Sequence, residues 1–176
     1  MATQLILTFL ADDRPGLVDT LSQAVTEAGG NWLESRTATM AGKFAGIIHV
    51  ELPDTRRAEA LRARLASLRS LGLQVTVDDA PSGAAAAGPG LVIELIGPDH
   101  PGIVRDIAHC LAVHRVNIET METNTSDTPM GGGMLFHARI SVSGPADLDE
   151  DGLRGELEQL AGALMVDLSL REPDGQ

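Results

Sequence analysis

The 176-residue chain is short of aromatic side chains, has one cysteine, and carries little positive charge. With three Phe, one Trp and no Tyr, aliphatic side chains must build the core. The single Cys110 excludes an internal disulfide framework and fits a reducing, cytosolic compartment. Thirteen Lys and Arg against 25 Asp and Glu leave a formal net charge of −12. That balance opposes general binding to nucleic acid or anionic membrane, which needs clustered cations. No apolar run reaches membrane-spanning length. Met1-Ala2-Thr3-Gln4 has no basic region ahead of its short apolar run, so no signal peptide is expected. These absences predict a soluble, cytoplasmic protein. The chain does have 43% apolar residues, ample for a core. Its length suits one ordinary domain or two small ones, each marginal alone at about 80 residues.

The stretch that organises the chain is Asp99-His100-Pro101-Gly102-Ile103-Val104, between the apolar run 91–96 and a helix-patterned segment. It reads as a strand end, a tight turn and a helix start. Pro is tolerated in the first helical turn. Gly without a Cβ lets another molecule approach the backbone. Free N–H groups and the positive end of the helix dipole suit a small carboxylate or phosphate. A twin segment, Asp13-Arg14-Pro15-Gly16-Leu17-Val18, comes after the strand-like run 5–10.

The rest of the chain extends this duplication. Leu17, Leu21, Ala24, Val25 and Ala28 recur at helical spacing, and Gly29-Gly30 end that helix. Two strands come next, 31–40 and 44–52, joined by a turn at Ala41-Gly42-Lys43. On the second strand Phe44, Ile48, Val50 and Leu52 share one face, Ile47 and His49 the other. Leu61, Leu65, Leu68 and Leu71 predict a second helix, and Leu73, Val75 and Val77 a last strand. The order is βαββαβ. In the second half, Asp99, Asn117 and the stripe Ile103, Ile107, Cys110, Leu111, His114 repeat the first half at a displacement of 86. From Phe136 onward the displacement is 92, so six extra residues lie before Phe136, around residues 127–133. The expected domains are 1–79 and 91–171, with an Ala/Gly/Pro linker at 80–90 and a tail at 172–176. The expected fold class is α+β: two tandem ferredoxin-like modules, each a four-stranded antiparallel sheet with two helices on one face. The opposite sheet face, with Ile47, His49, Leu135 and His137, is apolar enough to invite a cover, from the other module or a second chain.

Asp99-His100 invites a catalytic reading. Adjacent side chains seldom meet, though, Arg14 replaces His100 in the first copy, and no nucleophile elbow is present. No enzymatic activity and no cofactor are expected. Asp13 and Asp99 could cap their helices or receive an ammonium group. Asn31 and Asn117, each 18 residues after its Asp, could be turn residues or could present an amide to a ligand. Cys110 and His114 have a metal-compatible spacing but stand on the apolar stripe, so they read as core and helix-end residues, with no metal expected. Five arginines against Glu59 mark residues 55–71, and six acids against Arg154 mark 147–160. Two solvated faces and mutual docking both account for that contrast.

The paired Asp-Arg-Pro-Gly-Leu-Val and Asp-His-Pro-Gly-Ile-Val turns, each with its Asn, resemble tandem ACT domains. Residues 97–104, Val116-Asn117-Ile118-Glu119 and the hairpin 128–136 are similar, more narrowly, to the glycine cleavage system transcriptional repressor group. The resemblance implies small-molecule binding, often of an amino acid, at interfaces between modules. It carries over to Asp13, Arg14, Pro15, Gly16, Leu17 and Asn31, and to Asp99, His100, Pro101, Gly102, Ile103 and Asn117. Glycine or another small amino acid is the expected ligand, and the N–H groups of Gly102 and Ile103 at a helix start could meet its carboxylate. The Asn117 side chain, Asp99 or neighbouring carbonyls would accept from its ammonium group. A Cβ at Gly102 would intrude on that ligand. The resemblance also implies repression through a transcriptional activator protein as partner, without direct contact with nucleic acid. The outward apolar Ile47 and Leu135, together with the limited core of small modules, predict a homodimer or larger assembly. The alternative is a constitutive protein–protein adaptor without ligand. Ala11 stands where Gly97 does, a departure that favours the second loop over the first.

Overall fold

The computed structural model describes residues 2–81, 90–128 and 132–173. Most of the expected linker, Pro129-Met130-Gly131 of the expected hairpin, and the end of the tail lie outside the described residues. The chain divides into two compact units, one for each module. The first comprises β1 (Thr3–Asp12), α1 (Leu17–Glu27), β2 (Asn31–Met40), β3 (Lys43–Leu52), α2 (Thr55–Ser67) and β4 (Gln74–Asp79). A 3-10 turn, Leu68–Leu71, extends α2. The second comprises β5 (Gly90–Pro98), α3 (Ile103–Val113), β6 (Asn117–Asp127), β7 (Met134–Ser143), α4 (Glu150–Leu164) and β8 (Asp167–Arg171).

Each module is the expected ferredoxin-like unit. The strand orders are β2-β3-β1-β4 and β6-β7-β5-β8, antiparallel throughout. The two outer strands carry a bulge at the same relative place, between Trp32 and Glu34 and between Ile118 and Thr120. In the first core, Leu5, Leu7, Ile48, Val50 and Leu52 from the sheet meet Leu21 of α1 and Leu61 and Leu65 of α2. In the second, Leu91, Ile93, Leu95 and Ile140 meet Ile107 and Leu111 of α3 and Leu153 and Leu157 of α4. Each such aliphatic side chain, fully buried, contributes about 1.5–3 kcal/mol. Leu71, expected in the helix stripe, is 60% exposed because the backbone tightens to 3-10 geometry after Ser67 and turns it outward.

Matching arginines tie each second helix to the strand after it. Arg62 Nη1 donates to the Val77 carbonyl at 2.6 Å, and Arg154 Nη1 to the Leu170 carbonyl at 3.2 Å. Part of the charge on these helices is thus spent inside its own module. The sheet face away from the helices is less apolar than Ile47 and Leu135 suggest. In the second module Glu94 accepts from Arg139 and Arg171, and His137 Nε2 lies 2.9 Å from Ser126 Oγ. A broad groove of about 570 Å³ crosses that face between Glu94, Glu122, His137 and Asp167.

Candidate functional site

The two helices of a module begin differently, and the difference marks the site. Asp54 and Asp149 cap α2 and α4, accepting from the N–H groups of Arg57 at 2.8 Å and Gly152 at 3.0 Å. At α1 and α3 the cap positions are Gly16 and Gly102, in left-handed conformation at φ 90° and 103°, with no side-chain cap bond. Asp13 and Asp99 do not cap these helices. Their backbone N–H groups instead donate to the carbonyls of Gly42 and Met134, each at 2.9 Å, extending the sheet by one bond. The first N–H groups of α1 and α3 are therefore left to whatever approaches the turn, at the positive end of the helix dipole.

Arg14 and His100, unlike in chemistry, perform one task. Arg14 Nη2 donates to the Leu71 carbonyl at 2.6 Å, and His100 Nε2 lies 3.2 Å from the Leu164 carbonyl. Each fastens its turn to the end of the second helix. His100 Nδ1 faces the Pro101 carbonyl at 3.2 Å, so both ring nitrogens address carbonyl oxygens and neither addresses Asp99. A carbonyl accepts only, so a neutral ring can donate to just one of the two.

Around the first turn lies a cavity of about 190 Å³, lined by Arg14, Gly16, Asp19, Thr20, Leu68 and Leu71. Thr20 Oγ1 donates to the Gly16 carbonyl at 2.9 Å. Beside the second turn, Asp106 pairs with Arg105 at 2.7 Å. Sequence reading passed over Asp19, Thr20 and Asp106; their signal is position in the first helical turn, next to the glycine. Asp12, before the first turn, is held below the ordinary carboxylate range by the Lys43 ammonium, its partner across the ladder.

Within the protein, an added Cβ at Gly102 would find nothing closer than Arg105 Nη2 and Asp106 Oδ2, both at 3.8 Å, so the positive φ is what requires glycine in the free chain. One expectation for the site is corrected: Asn117 is not beside the loop 99–103 within its own module. Asn117 pairs with Ser143, which pairs with Gly90 at the start of β5, whereas the loop begins after Pro98 at the other end. Nine residues of strand separate those ends, about 26 Å at the usual strand rise. Asn31, opposite Glu51, and the first loop after Asp12 are separated in the same way. Each module thus has a glycine-capped turn at one end and an exposed Asn at the other. The Asn117 amide donates to Glu119 Oε1 at 3.2 Å.

Gly97 has a separate role. A Cβ there would fall 2.5 Å from Val166 Cγ1 and 2.8 Å from its Cα, so the glycine serves close packing of β5 on the turn before β8. In the first module Ala11 occupies this place, 4% exposed. The departure at Ala11 therefore says nothing against the first loop.

Two βαββαβ modules in tandem, each opening its first helix on a glycine cap with no side-chain cap bond, define a duplicated ferredoxin-like protein. The ACT-domain family model matches residues 3–78 and 90–171, and the chain belongs to this family. It is 24% identical over 168 residues to the glycine cleavage system transcriptional repressors of Escherichia coli (strain K12) and Shigella flexneri, covering 94% of this chain and 85% of each relative. Among solved structures it is similar to an unknown protein from Galdieria sulphuraria, with a TM-score of 0.84 and 27% identity over 99% of this chain and 100% of that one. A structure provisionally named a glycine cleavage system transcriptional repressor shares the fold, with a TM-score of 0.73 and 19% identity over 99% of both chains. Among the described residues no helix is long and apolar enough to cross a membrane.

Proposed function

We propose that the chain senses glycine or another small amino acid and represses transcription of a glycine cleavage system through contact with a transcriptional activator protein, without catalysis. The observation that carries this reading is the contrast in capping. Asp side chains close α2 and α4, while Gly16 and Gly102 leave the starts of α1 and α3 bare. A carboxylate suits those N–H groups. The exposed amides of Asn31 and Asn117 supply an acceptor for the ammonium group, from a module other than the one whose turn is used, since a single module holds the two half-sites apart. A second copy of the chain can provide that module, so the working form is a homodimer. Similarity to the repressors named above supports the regulatory role, and the net charge of −12 suits action through protein rather than DNA.

A thermal-shift screen across the free amino acids tests the reading against a ligand-free adaptor. Selective binding to the folded chain raises the melting temperature with concentration. The expected result is a concentration-dependent rise with glycine, alanine or serine; a flat response to all of them favours the adaptor. Light scattering at micromolar concentration is expected to return a dimeric mass, and a monomeric mass would contradict the homodimer.

A further inference from the structure

Cys110 on α3 and His114, the residue that caps its C-terminus, stand one turn apart, and Glu156 of α4 faces them. The thiol sulphur, an imidazole nitrogen and a carboxylate oxygen all lie within 4.8 Å of one another. His114 Nε2 is 3.0 Å from Glu156 Oε2, yet it is closed off from solvent and out of line for a hydrogen bond, so that nitrogen has no aligned partner. Buried polar atoms are nearly always bonded, and an exception in a cluster of ligating groups points to something that fits between them.

The first module supplies an internal comparison. At the three corresponding positions it has Ala24, Ala28 and Arg64, and Arg64 Nε reaches Glu27 Oε2 at 3.9 Å. One module thus closes its helix pair with two alanines and an ion pair. The other brings three donors together from two helices.

We propose that Cys110, His114 and Glu156 form a binding site for a zinc-type divalent cation that pins α3 to α4. A sulphur, nitrogen and oxygen set suits zinc, whereas calcium and magnesium take oxygen ligands. Thiolate and carboxylate together neutralise the dication. Binding releases the thiol proton. Three protein donors leave one position for water, on the side of the groove lined by Asp106, His109, Val113 and Gln159. The cluster lies toward the end of α3, away from its glycine-capped start, so the site is independent of the amino-acid reading.

The test is a Co²⁺ titration of the full chain, reduced and stripped with chelator, and then challenged with Zn²⁺. Because Cys110 is the only cysteine, a thiolate-to-cobalt charge-transfer band reports on this position alone. One Co²⁺ per chain is expected, with that band present and then bleached by Zn²⁺. Cys110→Ala, which restores the first module's residue, should abolish the band. His114→Ala and Glu156→Gln should each weaken Co²⁺ binding by about tenfold or more, since even outer-shell partners act on that scale. Glu156 is exposed, so its variant leaves the core intact. No band at stoichiometric metal overturns the proposal. So does a band whose affinity is unchanged in both His114→Ala and Glu156→Gln.

Discussion

Gly97→Ala is expected to destabilise the second module by about 1–3 kcal/mol, the usual cost of forcing an extra carbon into a packed site. The added Cβ would meet Val166 at its Cα, at 2.8 Å, as well as at Cγ1. A flexible side-chain tip could swing aside, but the Val166 backbone cannot do so without moving the turn that starts β8. Ala11→Gly, the reverse change in the first module, is expected to cost less, because it removes one methyl group from a site that already holds it. Denaturant unfolding of the two variants measures both effects. Wild-type stability in Gly97→Ala, together with weakened ligand binding, would return Gly97 to the ligand site and contradict the packing role.

Asn117→Ala and Asn31→Ala are expected to leave stability and oligomeric state unchanged while weakening amino-acid binding. Both side chains are exposed, and the Asn117 amide bonds locally, to Glu119. Loss of a hydrogen bond to a charged group costs about 1.5–3 kcal/mol, which is tenfold or more in affinity. These variants are cleaner probes than Gly102→Ala, which strains a turn at φ 103° by roughly 1–3 kcal/mol whether or not a ligand binds. Calorimetry with glycine on each single variant and on the double variant distinguishes one working half-site from two. An unaltered affinity in all three removes the asparagines from the site.

The fold was legible because duplication and periodicity agree. The displacement of 86 aligns both first strands, turns and helices, and 92 aligns the third strands and second helices. The alternation on 44–52 separates Ile48, Val50 and Leu52 from Ile47 and His49 as the burial does. The sites were less legible, for reasons of geometry. A constant spacing of 18 residues from Asp to Asn says that both halves share a device, but a helix returning along the sheet carries the Asn to the far end. Arg14 and His100 look unrelated until Leu71 and Leu164 place a carbonyl before each. Cys110 and His114 offer two donors at helical spacing, and the third, Glu156, comes from a helix more than 40 residues later that spacing cannot bring near. Gly97 and Gly102 look alike in sequence; one is required by a neighbour's backbone and the other by its own φ.

The measurement that bears most directly on amino-acid sensing is calorimetric titration of the full chain with glycine, alanine and serine, alongside a large apolar amino acid as control. A sensing role predicts saturable binding of at least one small amino acid, weaker or absent binding of the control, and loss of that binding in the double variant Asn31→Ala, Asn117→Ala. No saturable heat with any of the small amino acids, or binding that the double variant leaves unchanged, would contradict it.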